Sequence, residues 1–92
     1  MNEHYNVNNM SPLEAYRRGL LSRDEYVGFI KGNIIKYVLR CEYKDDAFGD
    51  LNKAIDYIKE YYYVIGSEKL GIDIEEYREL SILNGALGEL DG

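Results

Sequence analysis

Residues 32–40 read GNIIKYVLR, and the way this stretch coils decides the fold of the chain. At ~100° per residue, Val27, Ile30, Ile34, Val38 and Cys41 fall within one narrow apolar stripe. Asn33, Lys36, Tyr37 and Arg40 stand at i, i+3, i+4 and i+7, so they share a second face beside it. The stretch is therefore the middle of an amphipathic helix. Its second face carries an amide, an ammonium, a phenol and a guanidinium on neighbouring turns. Such a set suits an anionic, planar ligand such as a nucleotide. It equally suits a helical seam in which Lys36 and Arg40 meet Asp50 and the acidic last helix while Tyr37 packs on Tyr57.

Upstream, Ser22-Arg23-Asp24-Glu25 is a capping box, which opens a long helix over roughly 23–42. Ser11-Pro12-Leu13-Glu14 gives the same signal with Pro at the first helical position, and Gly19 ends a short helix over 12–18. Gly28 and Gly32 lie inside the long helix, each costing about 1 kcal/mol relative to Ala. They thin one face, either for packing against the short first helix or for the approach of a ligand. Residues 1–10 are rich in Asn and read as irregular, with His4-Tyr5 near the start.

Downstream, Lys44-Asp45-Asp46 is a turn, and either aspartate can cap a third helix over about 47–64. Its apolar stripe is Leu51, Ala54, Ile55, Ile58, Tyr62 and Ile65. Asp50, Tyr57 and Tyr61 run along one flank, where they can face Lys36 and Arg40 of an antiparallel partner. Asp56 points to solvent. Residues 66–71 read as a loop, Asp73 as the cap of a fourth helix over 74–84, and the glycine-rich end GALGELDG as a frayed tail.

The expectation is one all-α domain over residues 1–92, of about four helices, with 23–42 and 47–64 as a central antiparallel hairpin. Residues 66–92 supply the C-terminal helix and tail. So thin a core, in a chain with ten tyrosines and no tryptophan, points to a homo-oligomer that completes its packing between subunits.

Composition narrows the function. A net charge of −6 argues against general nucleic-acid binding, which needs a basic surface. No apolar run reaches membrane length and no signal peptide opens the chain, so the expected workplace is a cytoplasm and not a membrane. Cys41 has no partner for an intramolecular disulfide, and its place on the apolar stripe reads as a small core residue. One His and one Cys do not make a zinc site. A lone His4 does not make a Ser-His-Asp set, and no GxxxxGK[ST] loop is present. Glu76-x-x-Glu79 has the spacing of half a paired-acid Mg²⁺ site, but no second pair follows, and Asp50 and Asp56 point ~120° apart. The chain reads as a non-enzyme with no metal and no cofactor.

His4-Tyr5, the short helix SPLEAYRRG, GNIIKYVLR, a Lys-Asp turn and DLNKAIDYIKEYY together resemble the SaV-like family of small bacteriophage proteins. The pattern runs roughly HY, GNxIKYxxR, DLxKAxxY; in the last motif the matching positions are Asp50, Leu51, Lys53, Ala54 and Tyr57. The resemblance covers residues 4 to about 63 and leaves 66–92 uncovered. Members are often labelled nucleotide kinases, a label at odds with the missing phosphate loop and the short chain. The resemblance implies a phage protein acting inside a bacterial host.

Two functions follow as expectations. In the first, the chain binds and sequesters a host nucleotide signal without turnover, as an anti-defence sponge. Lys31, Lys36 and Arg40 hold phosphates, His4, Tyr5 and Tyr37 sandwich bases, and Asn33 gives polar recognition. In the second, an acidic face of Asp45, Asp46, Asp73, Glu75, Glu76 and Glu79 binds and inhibits a host protein.

Overall fold

The structure is a computed structural model that describes residues 10–43 and 45–84. Four helices follow one another: α1 (Pro12–Arg17), α2 (Arg23–Arg40), α3 (Ala47–Leu70) and α4 (Ile74–Asn84). The fold is all-α, and no strand occurs among the described residues. Each helix starts where a short polar side chain offers an acceptor. Ser22 and Glu25 close a reciprocal capping box on α2. Ser11 accepts from the Glu14 amide, but the Glu14 carboxylate turns to the Arg18 guanidinium at 2.8 Å. Asp46 accepts from the Gly49 amide, and Asp73 from the Glu75 amide.

α2 and α3 form the central antiparallel hairpin. Its register is fixed by three pairs: Arg23 with Glu68 at 2.9 Å, Lys31 above the Tyr61 ring at 5.7 Å, and Arg40 with Asp50 at 3.5 Å. The core is small. Tyr26, Val27 and Ile30 of α2 meet Tyr63 and Val64 of α3 and Ile74 of α4. α1 closes one end, with Tyr16 stacked on Tyr26 at 4.8 Å. α4 is clamped by Arg78, which donates to both carboxylate oxygens of Glu60 at 2.9 and 3.0 Å and lies over the Tyr63 ring at 4.4 Å.

The third helix does not stop near residue 64; it runs through the expected loop to Leu70. Gly66 lies inside the helix, and the Tyr77 ring occupies the space that a side chain there would fill. The stop is Gly71, at φ +70°, whose amide bonds back to the Ser67 carbonyl. α3 is also rotated from the expected stripe. The side toward the core is the flank Asp50, Ala54, Tyr57, Tyr61 and Val64, while Leu51, Ile55 and Ile58 are exposed. Two readings on α2 change as well. Val38 is exposed, and Cys41, just past the end of α2 at Arg40, is half-buried with its thiol turned back to the Val38 carbonyl at 3.1 Å. Gly28 and Gly32 do not pack against α1; no atom lies within 4 Å of where their Cβ atoms would be. No helix among the described residues is long and apolar enough to cross a membrane.

Candidate functional site

The Tyr37 ring is where the two signature stretches of the sequence meet. Helical spacing places Asn33, Lys36, Tyr37 and Arg40 on one side of α2, and the hairpin register brings Asp50, Lys53 and Tyr57 of α3 beside them. Tyr37 is half-buried and stacks on Tyr57, with centroids 6.2 Å apart and planes 16° apart. Three cations surround that one ring: Lys36 Nζ at 4.5 Å, Lys53 Nζ at 5.5 Å and Arg40 Cζ at 5.8 Å from its centroid. Each such contact contributes about 0.5–1 kcal/mol where solvent reaches it.

One carboxylate enters this cluster. Asp50 is 5% exposed, and its Oδ2 sits 3.5 Å from Arg40 Nε without a hydrogen bond to any group. The pair is therefore a charge contact at a distance where hydrogen-bond geometry is lost. Among the described residues, three cations lie at the Tyr37 ring with one carboxylate in contact with them, while Asp56 and Glu60 act on Tyr57 beside it, in a chain whose net charge is −6. Asn33 donates its amide to the Phe29 carbonyl at 2.9 Å, so part of that side chain serves its own helix.

An aromatic row connects the cluster to α1. Tyr57 meets Phe29 edge-on at 5.8 Å, Phe29 lies 6.3 Å from Tyr26, and Tyr26 stacks on Tyr16. Burial pushes the Tyr57 phenol up from its ordinary value, with Tyr37, Asp56 and Glu60 adding to the shift. Burial also raises Tyr26, and the Glu60 carboxylate, 3.3 Å from its hydroxyl, raises it further. These phenols stay neutral and act as surfaces and donors.

Of the predicted residues, Lys36, Tyr37 and Arg40 come together, with Asn33 one turn away. Lys31 does not join them. It stands ~120° around α2 from Tyr37, over the Tyr61 ring on the other flank of the hairpin. His4 and Tyr5 lie outside the described residues. Lys53 belongs to the cluster and was not among the expected residues. Its signal was local: three residues after Asp50 and four before Tyr57, on one face of α3.

The acidic face divides in two. Asp45 and Asp46 precede α3 and the other four acids follow it, and a helix of 24 residues spans about 36 Å. Asp46 and Asp73 are spent on caps, and Glu75 lies 3.5 Å from Arg78. An open cleft of about 370 Å³ does exist between α1 and the α3–α4 turn. It lies at the far end of the hairpin from Tyr37, and its charges are matched, with Arg17 facing Asp73 at 3.7 Å. Among the described residues, no group of three His, Cys, Asp or Glu could hold a metal ion.

Fold and site define a small helical-hairpin protein whose two central helices jointly present a cationic aromatic surface. Residues 1–59 match the family described as protein of unknown function DUF3310, and the chain belongs to that family. The matched part holds α1, α2 and the first half of α3, and so every described residue of the Tyr37 cluster. The end of α3 and all of α4 lie beyond it. No curated protein and no solved structure matches the chain.

Proposed function

We propose that this chain is a phage nucleotide-binding protein that sequesters a host nucleotide signal without turnover, an anti-defence sponge in the bacterial cytoplasm. The observation that carries the proposal is the convergence of Lys36, Arg40 and Lys53 on the Tyr37 ring. Lys and Arg neutralise phosphate, Arg through a planar fork that grips two oxygens at once. Tyr37 and Tyr57 supply aromatic surface for a base, and Asn33 a polar edge beside it. His4 and Tyr5 enter the proposal through the family resemblance alone. The groups of the cluster are binders: cations, phenols and an amide, with the one carboxylate turned to Arg40.

The test is a thermal-shift and calorimetric titration of the full chain against mono-, di- and cyclic nucleotides. A ligand held by the folded state alone raises the melting temperature by mass action. Arg40→Ala and Lys53→Ala each lower the affinity roughly tenfold, the loss of about 1.4 kcal/mol expected for one charge-assisted contact. The nucleotide is recovered intact. Unchanged affinity in both variants removes the site, and a cleaved or phosphorylated product removes the sponge.

A further inference from the structure

The side of the hairpin opposite the Tyr37 cluster is apolar and open to solvent over much of its length. On α2, Gly28, Gly32, Ile35 and Leu39 share one face at helical spacing; Ile35 is 58% and Leu39 63% exposed. On α3 the matching face carries Phe48, 82% exposed, then Leu51, Ile55, Ile58 and Tyr62. On α3, periodicity marked Leu51, Ile55 and Ile58 as core, yet the single chain leaves much of each exposed. Counting Val38, the exposed parts of the two faces sum to roughly 800 Å², at about 200 Å² for each fully exposed large side chain. Monomers rarely leave a patch above a few hundred Å². One partner in a stable interface contributes about 800 Å².

We infer that this face is covered by a second copy of the chain, packed on a two-fold axis so that two α2–α3 hairpins form a four-helix bundle. The register carries one axis across both helices. The three pairs that align the hairpin set the point between Lys36 and Tyr37 on α2 beside Ala54–Ile55 on α3. An axis through that point, across the helices, sets α2 antiparallel to its copy. Lys31 then meets Glu42 of the second copy, and Ile35 meets Val38. The same axis sets Leu51 against Ile58, and brings Phe48 and Ile55 within about one residue's rise of Tyr62 and Ile55 of the second copy. One operation thus matches the charges at the ends of the α2 face and the apolar row on α3. Gly32, with open space where a side chain would stand, falls opposite the end of the second α2 and lets the backbones approach. Burial of a shared apolar face is the usual way a small helical unit completes its core.

Light scattering behind a sizing column, on the full chain at micromolar concentration, tests this. The wild type has twice the mass of one chain. Ile55→Glu sets two carboxylates close to each other beside the axis and gives a single-chain mass with helical circular dichroism retained. Leu20→Glu, in the exposed α1–α2 turn, stays dimeric. Lys31→Glu raises the dimer dissociation constant at least roughly tenfold, and adding Glu42→Lys restores it; this swap holds even if Ile55→Glu fails to fold. A single-chain mass for the wild type, or a mass above two chains, overturns the inference. So does an Ile55→Glu variant that stays dimeric, or a Lys31→Glu defect that Glu42→Lys leaves unrepaired. The inference does not rest on nucleotide binding, which is read separately at Arg40 and Lys53.

Discussion

The Tyr77 ring fills the space that a side chain at Gly66 would need, so α4 seats directly on the backbone of α3. An alanine inside a helix is normally better than glycine by about 1 kcal/mol. At position 66 the added methyl meets the outer edge of the ring, which must swing away and give up its contact with Tyr62 at 6.1 Å. Gly66→Ala is therefore destabilising by about 1–3 kcal/mol. Combining it with Tyr77→Ala costs less than the two changes added separately. Urea unfolding of the four proteins checks this. A Gly66→Ala protein as stable as the wild type would mean the ring contact does not select the glycine.

The same pair explains why α3 was only half legible. Helix starts are local signals, and Ser11, Ser22, Asp46 and Asp73 all cap as their sequence neighbours imply. Gly66 looks like a stop because its reason for being glycine lies eleven residues away in α4. The buried side of α3 is likewise set by its partners: Tyr57 and Tyr61 are amphipathic enough to pack inward, and the stronger stripe of Leu51, Ile55 and Ile58 was left outside. At the site, Lys36, Tyr37 and Arg40 are grouped by their own spacing. Lys53 reaches the same ring only through the hairpin register, and spacing within α2 carries no trace of that.

Stability should fall at alkaline pH through the tyrosines. Tyr16, Tyr26 and Tyr57 are all raised from the ordinary phenol value of 10.0, burial being the largest cause in each. As the pH passes about 10, unfolded phenols release protons that the folded ones retain. The stabilisation is thus complete below that pH and is lost above it. Melting temperatures between about pH 8 and 11 should drop at the alkaline end. Tyr26→Phe should flatten that drop while costing about 1 kcal/mol near neutrality, from the lost bond to Glu60. An unchanged alkaline slope would assign the loss to other groups.

Glu60 joins three helices. It sits on α3, accepts from Tyr26 of α2 at 3.3 Å and is gripped at both oxygens by Arg78 of α4. Burial would lower the Arg78 value, but the hydrogen bonds and charge of Glu60 outweigh it and raise it. Both side chains are 23% exposed, which separates this pair from surface ion pairs. Arg78→Ala leaves a half-buried carboxylate with one neutral donor, at a cost of about 2–3 kcal/mol. Arg78→Lys recovers little of it, because an ammonium has no fork. Denaturant unfolding measures both. A loss under about 0.5 kcal/mol in Arg78→Ala would place the pair with solvent-screened bridges.

Asp50 distinguishes a binding site from a seam. Its carboxylate is nearly buried and faces Arg40 without a hydrogen bond, while Arg40 is close to half exposed. If the pair were only a strut, Asp50→Asn would lower stability and change nothing else. If Arg40 is a phosphate group's partner, Asp50 competes with that phosphate for it. Removing the negative charge while keeping the shape then strengthens binding of an anionic probe. Pyrophosphate, titrated calorimetrically at low salt, should bind Asp50→Asn several-fold more tightly than the wild type, about 1 kcal/mol of relieved repulsion at partly solvated range. The gain should shrink as salt rises and vanish in Asp50→Asn/Arg40→Ala. A lower melting temperature with unchanged pyrophosphate affinity would make the Arg40–Asp50 pair a strut and return the Tyr37 cluster to the helical seam.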